Sequence, residues 1–399
     1  GTRYSAEGGW FDCDKIRFRR GLPEKIGGWL AATTNTFLGS ARKLHDFVTL
    51  ASLDLLFVGT EKKIYIEDSG TYNDITPIRV TRTLGSNPIA TADTTGTITV
   101  TDSSGHGAII GDFVTFSGAT AVGGITAEQL NTEHVVVSIP TDNTFTVLTT
   151  GTATSSTSGG GASVVAAYQI NVGLNTSVLG PGWGAGTWGR FTWGSSAGSL
   201  AGNTLRLWFA DNFGEDIIAN IADGTIYFWD ASVGVGTRAV ALTSLTGASD
   251  VPTVCRKILV SEADRHVLAF GANTLGSADQ DPLLIRWSDQ ESAVDWTPTA
   301  INTAGDLRLS QGSEILTAVR TRRETLVWTD HTLHSIQFIG PPYTFGTALL
   351  ADNTKIAGPN TAMAINDLVY WMGYQNFFVY DGRVNVIPCS VRSYVFDDM

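Results

Sequence analysis

Short apolar runs separated by polar turns recur along this chain, and the runs pair two by two. In each pair an apolar strand leads through a polar turn into a strand rich in aromatic residues, which is the pattern of a β-hairpin. Four such pairs occur, at 55–59 with 64–68, 217–221 with 225–230, 325–329 with 335–340, and 368–372 with 377–382. Further apolar strands lie at 44–50, 257–260, 315–319 and 362–365, each preceding another apolar strand.

The units recur about every 40 to 60 residues, a period typical of β-propellers and related arrays. Three or four antiparallel strands per unit, packed face to face around an axis, would protect their edges by radial closure. The pattern therefore predicts an all-β fold, a β-propeller of undetermined blade number. A β-sandwich with coincidental hairpins is the alternative.

Residues 82–167 interrupt this pattern, because they are rich in Thr, Gly, Ser and Ala and almost free of Trp and Tyr. Short strands are predicted there at 96–101, 112–117, 134–139 and 144–149, and 151–163 has the composition of a flexible loop or long hairpin tip. We therefore predict an inserted small β-barrel or sandwich domain at 82–167, between propeller segments at 1–81 and 168–399. The chain is expected to be truncated at both ends.

Composition limits the function classes. Only 16% of the residues are charged, and the 44 glycines, 11 tryptophans and 18 phenylalanines suit short strands and tight turns. The net charge of −12 argues against tight binding of duplex DNA, which usually requires a basic surface. An acidic channel wall would let DNA slide past, although the same charge also serves ordinary solubility.

No residue pattern indicates an enzyme, a cofactor or a metal. The three cysteines (Cys13, Cys255 and Cys389) are too widely spaced for a disulfide framework or a zinc site, and they are expected to be free thiols. His331 and His334 are close in sequence, but no third ligand lies near them. Neither a nucleophile elbow nor a phosphate-binding loop is present, and no apolar run has membrane-spanning length.

The N-terminal run 7–29 (EGGWFDCDKIRFRRGLPEKIGGW) closely resembles the N-terminal region of tail nozzle and packaged-DNA-stabilisation proteins of short-tailed bacteriophages. The run 286–298 (RWSDQESAVDWTP) and the segment 343–345 after Pro341-Pro342 are also similar to those proteins. The resemblance implies a propeller subunit that assembles as a ring, expected to be a hexamer, below the portal and its adaptor. It implies no enzymatic activity and no cofactor.

Several further expectations follow from this resemblance. The ring would extend or close the DNA exit channel of the virion tail, after assembly in the host cytoplasm. Its partners would be further copies of itself, the portal–adaptor proteins and tail fibre, spike or needle proteins, while genomic DNA would pass through transiently.

Two groups of residues are candidates for a subunit interface or a channel lining. Lys15, Arg17 and Arg19 alternate with apolar residues and are followed by Arg20, which predicts a strand with one cationic face. That face could meet acidic neighbours in a ring, line a channel, or simply be a solvated edge strand. Three tryptophans in a glycine-rich segment could contact a neighbour or narrow a channel, or fold back onto the propeller: Trp183, Trp188 and Trp193.

The alternative function is a carbohydrate-binding or glycan-degrading propeller module of the tail. Exposed Trp and Tyr side chains would supply stacking surfaces for sugars. A convergent pair of carboxylates in a central pocket would favour this alternative.

Overall fold

The computed structural model describes residues 15–28, 30–31, 33–176, 205–261, 264–340, 343–365, 367–389 and 392–397. The chain divides into two compact units, 1–36 and 37–399. In the first unit, β1 (Ile16–Arg19) and β2 (Leu22–Lys25) form an antiparallel hairpin. Its two-residue loop, Arg20 and Gly21, has positive φ at both positions (54° and 82°), which is the backbone of a type I′ turn.

The second unit begins with a four-stranded antiparallel sheet whose strands are hydrogen-bonded in chain order. These strands are β3 (Ala41–Val48), β4 (Asp54–Thr60), β5 (Ile64–Asp68) and β6 (Thr71–Asp74). Alternation along the strands places Phe47, Leu55 and Phe57 together on one buried face. This sheet is the first blade of the propeller.

An eight-stranded antiparallel sheet follows, with the strand order β13-β8-β9-β12-β11-β10-β14-β7. Its strands are β7 (Ile78–Thr83), β8 (Ile89–Thr91), β9 (Thr97–Thr101), β10 (Phe113–Ser117), β11 (Glu133–Thr141), β12 (Thr144–Leu148), β13 (Ser158–Gly159) and β14 (Val165–Gln169). The short helix α1 (Ala127–Leu130) begins with a capping box formed by Thr126 and Gln129. The predicted limits at 81/82 and 167/168 fall inside the first and last strands of this sheet.

The four strands predicted from this polar segment are present as β9 to β12. Of the two alternatives for 151–163, the flexible loop is wrong, because this stretch is hydrogen-bonded to the sheet. Thr91 Oγ1 donates to the carbonyl oxygens of Ser155 (2.9 Å) and Thr157 (3.1 Å), and Ala153 is 2% exposed. Backbone pairing therefore orders a segment whose small side chains gave no sign of burial.

Four further four-stranded sheets complete the described propeller, each again in chain order. The second and third blades are β15 (Trp208–Phe213), β16 (Asp216–Ile221), β17 (Ile226–Trp229), β18 (Val240–Ala241), and β19 (Lys257–Val260), β20 (Val267–Phe270), β21 (Leu284–Trp287), β22 (Gly305–Arg308). The fourth and fifth are β23 (Ile315–Arg320), β24 (Thr325–Thr329), β25 (Leu333–Gly340), β26 (Thr344–Ala351), and β27 (Ala362–Ile365), β28 (Leu368–Met372), β29 (Phe377–Tyr380), β30 (Val384–Ile387). Two 3₁₀-helices (Ala231–Val233 and Leu242–Ser244) and the helix α2 (Arg392–Phe396) accompany them.

The prediction of an all-β propeller with an inserted all-β segment is confirmed, and the structure supplies the blade number, five. Consecutive blades contact each other through their first strands, β3, β15, β19, β23 and β27, so these are the innermost strands. Four apolar cores fill the spaces between consecutive blades. Trp208 and Trp229 lie in the first of these cores, and Trp328 and Trp371 meet edge to face in the last, with ring centroids 5.4 Å apart.

A buried ionic network joins the first blade to the eight-stranded sheet. The Lys63 Nζ lies 2.8 Å from Asp74 Oδ2 and 2.6 Å from Glu133 Oε1, and the Lys63 side chain is 5% exposed. Burial acts to raise the pKa of Asp74, but hydrogen bonds from Lys63 and Thr76 and the nearby positive charges lower it overall. The lysine thus holds carboxylates of two different sheets together.

A second buried cation, Arg286, fixes the loop that precedes the third blade. Its side chain is 1% exposed and its Nη2 donates to Asp250 Oδ2 (2.7 Å) and to the Asp250 carbonyl oxygen (2.6 Å). Nη1 donates to the Asn273 carbonyl oxygen (3.3 Å). These contacts of Arg286 are all internal to the propeller.

We predict that Arg286→Met lowers the free energy of unfolding by about 3 kcal/mol, because it leaves buried carbonyl groups and Asp250 without their donor. The matched control is Arg308→Met, since the Arg308 side chain is 57% exposed and makes one ion pair, 2.6 Å to Asp281. That control should cost about 1 kcal/mol or less. Urea denaturation of the two variants measures the difference, and equal losses would contradict the buried-clamp role of Arg286.

Candidate subunit interface

The predicted cationic residues lie in the exposed hairpin. Arg17 and Arg19 share one face of it with their cross-strand partners Glu24 and Leu22. The Arg17 Nε lies 3.1 Å from Glu24 Oε2, and these side chains are 57% and 45% exposed. Lys15 precedes the strand and is therefore not part of the alternating face.

The opposite face of the hairpin is largely apolar and is also exposed. Phe18 pairs with Pro23 and is 47% exposed, and Ile16 pairs with Lys25. One face of the hairpin thus carries Arg17 and Arg19 with Glu24 and Leu22, and the other carries Ile16 and Phe18 with Pro23 and Lys25.

The other predicted interface residues, Trp183, Trp188 and Trp193, lie outside the described residues. The structure therefore neither adds to nor changes the alternatives given for them.

The innermost strands bring together charged residues that sequence reasoning did not connect. They carry four basic residues (Arg42, Lys43, Lys257 and Arg320) and two acidic ones (Asp46 and Asp211). Each of these charged residues could be read from its own strand in the sequence. Only the radial arrangement of the blades shows that the strands carrying them lie together at the axis.

Asp211 is the centre of this axial cluster and is 4% exposed. Its Oδ2 accepts hydrogen bonds from the Val260 backbone N–H (2.9 Å) and from Arg320 Nη1 (3.0 Å). Its Oδ1 accepts one from the Asn212 backbone N–H (3.0 Å). One carboxylate thereby links the first strands of the second, third and fourth blades.

Lys257 is a cation of this cluster with no carboxylate within ion-pair distance among the described residues. Its Nζ donates to Thr317 Oγ1 (3.0 Å) and lies 5.0 Å from the Phe209 ring centroid. Burial and the nearby Lys43 charge lower the pKa of Lys257 to about 7, against a smaller opposing effect of Asp211. Burial likewise lowers the pKa of Lys43.

The first and fifth blades each expose one apolar sheet face. On the fifth blade, Met363 (63% exposed) and Tyr370 (37%) line a groove of about 630 Å³, and Ile365 is 49% exposed. On the first blade, Leu44 is 57% and Val48 58% exposed. Every other blade face that looks towards a neighbouring blade contributes to one of the four apolar cores.

The histidines and cysteines do not form a metal site in the part of the chain that the structure describes, where no group of three or more His, Cys, Asp or Glu could hold a metal. His331 Nδ1 lies 3.1 Å from Asp330 Oδ1, and His334 Nε2 lies 3.0 Å from Thr332 Oγ1. Cys255 is buried and Cys389 is partly buried, both as free thiols, whereas Cys13 lies outside the described residues.

An open cavity of about 480 Å³ lies beside the loop 320–325 and is the feature most relevant to the carbohydrate alternative. Two carboxylates line it, but each is held by its own neighbours. Asp264 Oδ2 accepts from Ser261 Oγ (3.1 Å), and Glu324 Oε1 accepts from the Tyr380 hydroxyl (2.8 Å). These hydrogen bonds hold the two carboxylates in the wall of the cavity.

We predict that wild type gains stability relative to Lys257→Met as the pH rises from 7 to 9. In this window Lys257 is largely neutral in the folded state (pKa about 7), whereas the unfolded chain keeps it protonated up to its ordinary value of 10.5. Because the unfolded state binds more protons, raising the pH favours folding, on the order of 1 kcal/mol per pH unit. Urea denaturation at both pH values measures this, and a constant or falling difference would contradict it.

Comparison with known proteins identifies no family for this chain. No family model and no curated protein matches the chain. Among solved structures, it is similar to an endosialidase of phage phi92 (12% identity, TM-score 0.22), over 90% of this chain and 47% of the endosialidase, so it spans about half that protein's length. It is also similar to a functionally unknown protein from Desulfotomaculum acetoxidans (9% identity, TM-score 0.29, 84% of this chain and 75% of that one). A third similar structure is Hsv2 of Kluyveromyces lactis (10% identity, TM-score 0.27, over 84% of this chain and 94% of that one).

No helix in the described ranges is long and apolar enough to cross a membrane.

Proposed function

We propose that this protein is a structural virion protein, a tail nozzle or hub subunit that assembles with further copies into a ring, a hexamer. The ring extends or closes the DNA exit channel below the portal and adaptor of a short-tailed phage. The sequence resemblance at 7–29 and 286–298 supplies the identity of the assembly. The protein acts through its shape. Rigid propellers determine the width of the channel, and contacts between subunits determine how the ring is assembled.

The observation that carries this proposal is the two-faced hairpin. All residues of its two strands are at least partly exposed, including Leu22 (71%), and the adjacent Ile26 is 53% exposed. Exposed apolar residues beside a cationic face are expected of a segment that is covered in an assembly. In a cyclic ring each subunit presents two different complementary patches, and the hairpin supplies one of them.

The net charge of −12 makes a neighbouring copy an electrostatically favourable partner for the basic face of the hairpin. A neighbouring copy of an acidic protein attracts a locally basic segment, and the attraction weakens as salt screens it. The same overall charge disfavours tight retention of phosphate groups, as a conduit for DNA requires.

We predict that the charge reversal Arg17→Glu with Arg19→Glu abolishes ring assembly and leaves the propeller folded, because both side chains are exposed and belong to the small first unit. Negative-stain microscopy of the purified protein, alone and with portal–adaptor complexes of the same virion, measures assembly. Circular dichroism and thermal melting check the fold.

The matched control reverses two adjacent exposed arginines of the propeller, Arg322→Glu with Arg323→Glu, and changes the net charge equally. This control should still form rings. Normal rings from the Arg17 and Arg19 variant would overturn the role of the hairpin. Wild-type protein that stays monomeric even with the adaptor would overturn the nozzle function itself.

A further inference from the structure

We propose that the propeller axis binds one small oxyanion, such as phosphate or sulfate, between the side chains of Lys43 and Lys257. The ligand would accept hydrogen bonds from ammonium N–H groups that have no acceptor within the described chain. This inference is independent of the proposed ring function, because both lysines and the groups that face them lie within the single compact unit 37–399.

Lys43 lies on the innermost strand of the first blade and faces the second blade. It alternates along β3 with His45 and Phe47, and Phe47 belongs to the apolar core between these two blades. The Lys43 side chain is partly buried, and its ammonium group makes no hydrogen bond or ion pair with the described residues. Its charge therefore lacks an anionic partner at contact distance.

Lys257 reaches the axis from the third blade. The next residue, Ile258, belongs to the core between the second and third blades, so Lys257 points to the opposite side of β19. Its Nζ donates to Thr317 Oγ1 of the fourth blade (3.0 Å) and lies 5.0 Å from the ring centroid of Phe209 in the second blade. The Thr317 hydroxyl donates in turn to the Pro359 carbonyl oxygen (2.8 Å). These contacts hold the ammonium group in place and leave two of its N–H bonds without an acceptor among the described residues.

The two ammonium groups influence each other across the axis. Burial and the charge of Lys43 lower the pKa of Lys257 to about 7, whereas Asp211 acts in the opposite direction. Asp211 compensates the lysines only in part, because its oxygens already accept hydrogen bonds from Arg320 and from two backbone N–H groups. The axis therefore carries an excess of positive charge that an anion from solution would offset.

These features specify the chemistry of the ligand. Ammonium groups that approach from different blades suit an anion whose oxygens accept hydrogen bonds in several directions, as those of a tetrahedral oxyanion do. A doubly charged anion also compensates both lysines at once, which a single carboxylate does not. Both lysines are partly buried between packed blades, so the ligand is a small anion and not a phosphate of duplex DNA.

Anion binding is coupled to the protonation of Lys257. A bound dianion favours the ammonium form, so it raises the pKa of this lysine and is bound together with a proton. Burial also lowers the pKa of Lys43, so the loss of its proton at high pH acts in the same direction. The affinity for the anion should therefore fall as the pH rises above 7.

The other titratable and charged groups around the two lysines are His45 and Asp46 on β3, Asp211 on β15 and Arg320 on β23. Burial lowers the pKa of His45 from its ordinary value of 6.5, so this ring is neutral between pH 7 and 9. Carboxylates and guanidinium groups do not ordinarily titrate in this window. Sulfate keeps its double charge there, so a change in its affinity reports the lysines.

Isothermal titration calorimetry of the full chain with sodium sulfate, at pH 7 and constant ionic strength, tests the site. We expect one sulfate per chain. Lys43→Met and Lys257→Met should each weaken its binding by about tenfold or more, because each removes a charged hydrogen-bond donor. Lys43→Arg should retain binding, since it keeps the charge, and circular dichroism checks that each variant is folded.

The matched control is Lys62→Met, which removes the same charge from an exposed side chain and should leave the affinity unchanged. A second titration of the wild type at pH 9 should give an affinity for sulfate lower by about tenfold or more, because Lys257 has then lost its proton. An affinity that stays constant between the two pH values would contradict Lys257 as a ligand of the anion.

Three further results would overturn the site. They are a folded wild type that binds no sulfate at pH 7, Met variants of Lys43 and Lys257 that bind it as well as the wild type does, and an equal loss in Lys62→Met, which would indicate general attraction of anions to the protein. None of these results bears on ring assembly, which the variants of the exposed hairpin test separately.

Discussion

Face-to-face packing of apolar sheets is the interaction on which the described propeller depends. A blade inside the array buries two faces, one against each neighbour, and the four cores around Trp208, Trp296, Trp287 and Trp328 result from this repetition. Each core removes large apolar side chains from water, the dominant favourable contribution to folding. Among the described residues, the first and the fifth blade each also carry exposed apolar side chains, such as Leu44 and Met363.

The radial arrangement also decides where charge accumulates. Because the first strand of every blade lies innermost, the inward-pointing polar residues of strands far apart in sequence meet around Asp211. A single carboxylate there receives hydrogen bonds from Val260 and Arg320, while Lys257 and Lys43 are left with incomplete compensation. An acidic protein thus has an axis on which basic residues outnumber acidic ones. The net charge does not reveal the electrostatics of the axis, because it also includes the acidic residues on the rest of the protein surface.

Buried cations hold together parts of the chain that are not paired in one sheet. Lys63 links the first blade to the eight-stranded sheet, and Arg286 ties the third blade to the loop that precedes it. In each case the cation is almost completely buried and its partners are carboxylates or carbonyl groups, which offsets the cost of removing the charge from water. The hairpin differs, since the ion pair of Arg17 with Glu24 is exposed to solvent and such pairs contribute little to stability.

The sequence by itself determined the fold class and the individual strands. Two-residue alternation and turn residues are local, so pairs such as 325–329 with 335–340 could be recognised without knowing what they pack against. The basic and apolar alternation at 16–19 likewise revealed a two-faced strand. The loop at 151–163 was misjudged because its order comes from backbone hydrogen bonds to Thr91 and Thr95, about sixty residues earlier, and composition carries no record of such pairing.

Only the tertiary structure decided the blade number, the axial cluster and the two open faces. These properties depend on which strands lie innermost and which faces meet, and both are set by contacts between residues more than a hundred positions apart, such as Asp211 and Arg320. Met363 and Leu44 look like ordinary core residues in the sequence, because a strand does not reveal whether its face has a neighbour. The physical reason is that the hydrophobic pattern shows which side chains would be stabilised by burial, whereas the arrangement of the blades determines whether they are buried.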